Sequence, residues 1–377
     1  VDSLFVFCAD THLADGAWTS RPAIYGDSYY SLQQIVDYCV AAKLPLVIGG
    51  DVLDVKRNYA TPVQKLCAQM DRMAAAQLPV WYIQGQHELD RSVTWMSVHP
   101  WPKHVNKQSF TIGDVKLYGI DWLPRNDIQA AFKEVPPDTD ILITHQVWQN
   151  LMKNIGRPEC SLADVHNVTT VLTGDFHVTV IETAPNAQGV LTQLVSPGST
   201  CMQDISECPD RFFYVIRRAG NGFNAIKRQL VTRRFKAYTI TEQSALDALC
   251  AGGFAADIKS MFGGLPAEID KPLIRVKFDK RIPDAHIRIS TAIGDAAHLF
   301  CDPIVDKSRN GDETNRTVVQ NDLISVISEL LRDSPAALVL AEALLRAEQP
   351  VVELEKQFAQ FQSQQETSDA AVAARSE

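Results

Sequence analysis

The sequence predicts a layered α/β protein, and three observations carry that prediction. Short continuous apolar runs of strand length recur through the first half of the chain, stretches with apolar residues at helical spacing separate them, and each run ends in a cluster of polar, ligand-capable residues. Continuous apolar runs suit strands covered on both faces. In layered α/β folds the functional residues gather outside the carboxyl ends of such strands, so the clusters are expected to share one site.

Taken in order, the strand at residues 4–9 leads into Asp10-Thr11-His12. A helix follows over 31–43, with Leu32, Ile35, Val36, Cys39 and Val40 on one face, and the run at 46–48 then leads into Gly49-Gly50-Asp51. A second helix is read over 62–77 from Val63, Leu66, Met70 and Met73. The remaining strands, 80–83, 141–143 and 171–173, precede Gly85-Gln86-His87-Glu88, Thr144-His145 and Gly174-Asp175-Phe176-His177. Beyond Pro197 the pattern becomes strand-rich, with strands expected at 212–217, 225–231, 237–240, 273–278 and 286–290. A smaller α+β or β-rich module is placed at 235–305, a polar linker at 306–317, a helical region at 318–361 and a disordered polar tail at 362–377.

Composition narrows the function. The 377 residues are 46% hydrophobic and 21% charged, and no apolar run approaches the roughly 20 residues that cross a bilayer. The N-terminus shows no signal-like segment, so an intracellular, cytoplasmic protein is expected; without an initiator Met, a residue or more is expected to be missing. Eight cysteines without a C-x-x-C pair read as reduced thiols rather than a zinc ribbon or a redox pair. The net charge of −9 argues against a free-standing electrostatic clamp for nucleic acid. The charge is uneven, however: residues 211–288 hold fifteen Lys or Arg against seven Asp or Glu. That basic segment reads either as ordinary surface charge or as a face toward a polyanion.

The strand-end residues have the chemistry of a two-metal site. A phosphodiester resists hydrolysis because water is a poor nucleophile at neutral pH and because its anionic oxygens repel attack. Two divalent ions about 3.5–4 Å apart address both problems. Such a site needs a bridging carboxylate and mixed His, Asp and amide ligands on rigid elements, and Asp10, His12, Asp51, Gln86, His145, Asp175 and His177 provide that set. Histidines 99, 104, 166, 286 and 298 lack the setting and are assigned no role.

The ordered set resembles the calcineurin-like metallophosphoesterase superfamily. Within it the likeness is to double-strand-break-repair nucleases of the SbcD or meiotic recombination eleven type, including phage homologues. Asp10-Thr11-His12-Leu13 resembles the D-x-H-L opening of that family, and Gly50-Asp51-Val52-Leu53-Asp54 its G-D-hydrophobic-hydrophobic-D. Ser196-Pro197-Gly198-Ser199 resembles the P-G-S turn that precedes an acidic residue, here Asp204 or Glu207. The resemblance implies a four-layered β-sandwich flanked by helices as the nuclease domain at 1–234, a DNA-capping domain at 235–305 and a C-terminal helical region that docks an ATPase.

It also implies residue roles. Asp10, His12 and His177 would hold a first metal, Asp51 would bridge, and His145 would serve the second. His87 would stabilise the transition state or protonate the leaving oxygen, with Asp54 orienting it; Asp54 also reads as a cap or turn residue. Two positions depart from the pattern. The family's G-N-H is Gly85-Gln86-His87 here, and its G-H-x-H is Gly174-Asp175-Phe176-His177. Both changed residues fall at the second metal, where an amide oxygen on a longer stem and an added carboxylate suit Mn²⁺ or Mg²⁺.

The implied function is DNA nuclease action in recombination and repair, with two Mn²⁺ (or Mg²⁺) per chain. The implied assembly is a homodimer within a heterotetramer that includes an SMC-like ABC ATPase of the SbcC type. Lys56 and Arg57 are candidates for touching the DNA backbone. A metallophosphatase or small-substrate phosphodiesterase remains open, as does a catalytically weakened scaffold subunit.

Overall fold

A computed structural model of the chain describes residues 3–15, 23–54, 60–89, 99–152, 157–220 and 222–304. The expected linker, helical region and tail lie outside these residues, as do Lys56 and Arg57. Among the described residues no helix is long and apolar enough to cross a membrane.

The architecture is α/β, as the alternation of apolar runs and helical stretches predicts. The first sheet opens with β1 (Ser3–Cys8), β2 (Leu46–Gly49), β3 (Val80–Ile83) and β4 (Lys103–His104), which pair in parallel in that order. A second sheet holds β5 (Gln108–Ile112), β6 (Val115–Gly119), β7 (Ile141–His145), β8 (Thr170–Gly174), β9 (Val180–Pro185) and β10 (Leu191–Ser196), in the order β5-β6-β7-β8-β10-β9. The chain then returns to the first sheet with β11 (Arg211–Ala219) and β12 (Gly222–Leu230), an antiparallel ribbon added against β1.

Three apolar layers hold the sheets and helices together. Between the sheets lie Phe5, Phe7, Val47 and Ile83 from one side and Leu117, Ile141, Ile143, Leu172 and Val195 from the other. On the outer face of the first sheet, α1 (Asp27–Ala42) and α2 (Ala60–Ala75) bury Leu32, Ile35, Val36, Cys39, Leu66, Met70 and Met73. These are the faces their spacing predicts. The outer face of the second sheet is covered by α3 (Arg125–Ala131), α4 (Gln149–Met152) and loops that bring in Phe132, Trp148, Leu162 and Val165. The resulting order is helix, sheet, sheet, helix. Strands buried on both faces explain why β1, β2, β3, β7 and β8 read as unbroken apolar runs instead of alternating ones.

Register brings the polar clusters to one rim. Cys8 pairs with Ile48 and Ile48 with Tyr82, so the first three strands end level; on the other sheet His145 pairs with Gly174. The segments after those strands therefore face each other across the end of the sandwich.

The segment 235–303 carries its own sheet and its own apolar cluster. Its strands β13 (Phe235–Ile240), β14 (Leu273–Phe278) and β15 (His298–Pro303) are parallel and joined through helices α5 (Gln243–Ala248), α6 (Phe254–Met261), α7 (Ala267–Asp270) and α8 (Ala285–Ile293). The strand expected at 286–290 is instead part of α8. His286-Ile287-Arg288-Ile289-Ser290 alternates like a strand, but Ala285, Ile289 and Ile293 are the buried set, four apart, while Ile287 is 64% exposed. The four-residue period reaches beyond the short window in which the alternation is visible. Parallel pairing requires crossovers, and α8 is the one between β14 and β15.

Candidate metal centre

Seven of the ligand-capable residues named from the sequence meet at the rim. Asp10, His12, Asp51 and His145 are buried there, and Gln86, Asp175 and His177 are partly exposed. The loops that carry them are laced together, since the Asp10 N–H donates to the Gly50 carbonyl and the His12 N–H to the Asp51 carbonyl. Asp10, His12, Asp51 and Asp175 all hold positive φ, between 43° and 73°. Non-glycine residues are uncommon in that region, and four together at one rim show backbone turned to aim side chains inward.

Two glycines permit the close packing. A Cβ on Gly85 would lie 2.0 Å from Asp51 Oδ1, and one on Gly50, at φ 95°, would lie 2.3 Å from His145 Nδ1. No side chain fits at either position, which explains the Gly that precedes Asp51 and the Gly that opens the Gln86-His87 turn.

The three buried or half-buried histidines at the rim have one nitrogen committed. His12 Nδ1 donates to Asp54 Oδ1 at 3.1 Å, His177 Nδ1 to Glu207 Oε1 at 3.3 Å, and His145 Nδ1 to the Gly49 carbonyl at 2.6 Å. Each Nε2 is thereby left with its lone pair toward the centre. The His12 and His177 Nε2 atoms face each other at 3.3 Å, and His145 Nε2 lies 3.2 Å from Asp51 Oδ2 and 3.7 Å from Asp10 Oδ1. Lone pairs so arranged repel unless positive charge lies among them. Ligating histidines are held in this way, with the second nitrogen donating to a carboxylate or carbonyl.

Unmet polar groups point the same way. Asp51 Oδ2, His145 Nε2 and Gln86 Oε1 are buried without a hydrogen-bond partner; the 3.2 Å approach of Asp51 to His145 lacks hydrogen-bond alignment. Burial works against the charge of Asp51, yet the rings of His145, His12 and His87 outweigh it and hold the carboxyl down at about 2. Burial likewise opposes a proton on His145, but Asp51, Asp10 and Asp175 raise that ring well above the ordinary histidine range. Burial raises Asp10. Two buried carboxylates beside a buried imidazole call for positive charge, and a divalent cation meets that need while leaving His145 Nε2 its lone pair. Two groups of ligand atoms within 4.8 Å of one another, Asp10-His12-His177 and Asp10-Asp51-His145, share Asp10. The donor set of carboxylate, imidazole and amide oxygen fits hard to borderline divalent ions.

His87 sits at the mouth, exposed, with its backbone N–H donating to Asp51 Oδ1 at 3.0 Å. Its Nδ1 donates to the Asp54 backbone carbonyl at 2.7 Å, while the Asp54 carboxylate is 3.8 Å away and directed to His12. Asp54 thus touches both rings, His87 through its main chain and His12 through its side chain. His12, Asp54 and His87 form a third group of convergent ligand atoms.

Three residues given no role from sequence support the centre. Of the two acidic candidates after the P-G-S turn, Glu207 reaches His177, whereas Asp204 accepts from the Ser206 N–H. Arg211, buried, pairs with Glu207 and also donates to the His177 carbonyl and to Ser199 Oγ. Burial disfavours charge on Glu207, but His177, the Gln203 N–H and Arg211 hold it below the usual glutamate range. Glu88 accepts the Val52 and Leu53 N–H groups on Oε2 and so fastens the Asp51 loop; burial, with Asp51 adding to it, pushes its carboxyl up to about 8. The signal for Glu207 was its place after the turn. Glu88 had no local signal, since Val52 and Leu53 lie 35 or more residues away; Arg211 is four residues from Glu207, but its reach to the His177 carbonyl spans 34 residues and is not written locally.

No family model matches the chain. It is 25% identical over 245 residues to the DNA double-strand break repair protein Mre11 of Methanosarcina mazei, a stretch covering 60% of this chain and 38% of that protein. The corresponding protein of Methanosarcina acetivorans is 23% identical over 245 residues, with the same coverage. That of Haloferax volcanii is 24% identical over 238 residues, covering 61% of this chain and 53% of the relative. The matched region is therefore about two fifths to half the length of these relatives. These similarities bear out the resemblance to double-strand-break-repair nucleases carried by the motifs.

Proposed function

We propose that the protein is a two-metal phosphodiesterase that cleaves DNA in recombination and double-strand-break repair. The carrying observation is the set of three histidines whose Nδ1 protons are committed outward and whose Nε2 atoms converge on Asp10 and Asp51. Asp10, His12 and His177 would hold one ion, His145 and Gln86 the other, with Asp51 between and Asp175 beside Gln86. Two divalent ions, Mn²⁺ or Mg²⁺, supply there an acidified water and positive charge for the phosphate oxygens.

The chain's own groups supply the rest. His87 Nδ1–H is held on a carbonyl, which can only accept, so the exchangeable proton is at Nε2, suited to passing to a leaving oxygen at the mouth. Glu207 and Asp54 keep His177 and His12 in the required tautomers. The basic segment 211–288 suits a phosphate backbone. Within the same proposal the 318–361 region binds an SMC-like ABC ATPase of the SbcC type, in a heterotetramer built on a homodimer, and 235–305 caps the DNA.

The test is cleavage of end-labelled single- and double-stranded DNA by the full chain in Mn²⁺, in Mg²⁺ and in EDTA, beside His87→Ala. Metal-dependent cleavage reduced about 10²–10⁴-fold by His87→Ala is expected, the range for removal of a general acid. Cleavage unaffected by EDTA would refute the proposal. So would absence of cleavage both alone and with an SbcC-type ATPase.

A further inference from the structure

The two residues that depart from the family pattern touch each other. Gln86 follows β3 in the first sheet and Asp175 follows β8 in the second, yet Gln86 Nε2 donates to Asp175 Oδ1 at 2.6 Å. The chemistry fixes which end of the amide faces the carboxylate, because an amide oxygen against a carboxylate oxygen would repel, whereas the NH₂ donates. The amide's other end, Gln86 Oε1, is buried with no hydrogen-bond partner. The Asp175 carboxylate also lies outside each of the three groups of convergent ligand atoms. Its backbone N–H, at φ 73°, donates to both oxygens of Asp10, at 3.0 and 3.2 Å.

We infer that Asp175 is a positioning residue and not a metal ligand: its carboxylate anchors the Gln86 NH₂ so that Gln86 Oε1 is presented to the second cation, and its backbone N–H orients Asp10. The two departures are then one change. Glutamine has the longer stem, which sets its oxygen deeper, and an unanchored amide on that stem would be free to turn either end inward. A short carboxylate opposite removes that freedom. The inference rests on the two-cation reading of the centre.

The test uses the full chain with ¹⁵N-labelled glutamine and histidine and Mg²⁺ as the probe, which is diamagnetic. Gln86→Glu identifies the Gln86 amide signal by its loss, and the His145 ring signals report occupancy. At saturating Mg²⁺ the His145 signals should move while the two Gln86 Nε2 protons stay widely split, as one remains bonded to Asp175. In Asp175→Ala the splitting should narrow to that of a free side-chain amide and Mg²⁺ affinity at this site should fall about 10- to 100-fold, the usual cost of losing such a partner. Asp175→Asn keeps an acceptor oxygen and should retain the splitting and most of the affinity. Narrowing of the wild-type splitting to the free-amide value on Mg²⁺ binding would mean that Asp175 has turned to the cation, and it would overturn the inference while leaving the two-cation reading intact. A His145 ring that never responds to Mg²⁺ would overturn both.

Discussion

Glu88→Gln should change how the stability of the cation-free protein depends on pH. The Glu88 carboxyl is pushed up to about 8 in the folded chain by burial and by Asp51, from an ordinary 4.5. Between those values the folded chain holds a proton that the unfolded chain has released. Stability therefore falls as pH rises through that window, by about 1.4 kcal/mol per pH unit for one proton. From pH 5.5 to 7.5 this amounts to about 3 kcal/mol. Glutamine keeps an oxygen for the Val52 and Leu53 N–H groups and cannot titrate. Urea unfolding of both proteins in EDTA across that range reads the effect directly, since titrations common to both cancel in the difference. Wild type should lose about 3 kcal/mol relative to Glu88→Gln, and saturating Mg²⁺ should flatten the trend by favouring the carboxylate. Parallel pH profiles in EDTA would refute the assignment of a proton to Glu88.

Other perturbations test separate parts of the structure. Glu207→Ala should weaken cation binding at Asp10, His12 and His177 about 10- to 100-fold in calorimetric titration, while Asp204→Ala should leave it unchanged, because only Glu207 reaches His177. Arg233→Ala should lower stability by about 3–5 kcal/mol in thermal unfolding, since the buried guanidinium pairs with Asp27 and donates to the carbonyls of Tyr25, Lys271 and Glu268. Iodoacetamide at pH 8 should label Cys208 first, as read by mass spectrometry. Cys208 is exposed, whereas Cys39 is buried with its thiol pushed up to about 12, and burial also raises Cys8 and Cys201.

How much of the centre was legible depended on where each interaction partner lies. Asp10, His12, Asp51, Gln86, His145, Asp175 and His177 were legible because each lies at the end of one of five strands or within a few residues beyond it, and doubly buried strands leave an unbroken apolar signature. The direction of the Asp54 carboxylate was not, because His12 lies 42 residues away and competes with His87 for it. Likewise the choice between Asp204 and Glu207 rests on which reaches back 30 residues to His177. Residues 286–290 misled because five residues can alternate like a strand and still belong to a helix that buries Ala285, Ile289 and Ile293.

The strand-helix alternation, the residues at the strand ends and the donor chemistry they share follow from local periodicity and side-chain type, and so were readable before any fold was known. Which strands fall in which of the two facing sheets, and which atoms meet at the shared rim, came from the folded chain alone. The tautomers of the three histidines and the joining of Gln86 to Asp175 are likewise tertiary. Those features depend on distances between segments far apart in the chain, and no local pattern encodes which buried nitrogen finds which oxygen.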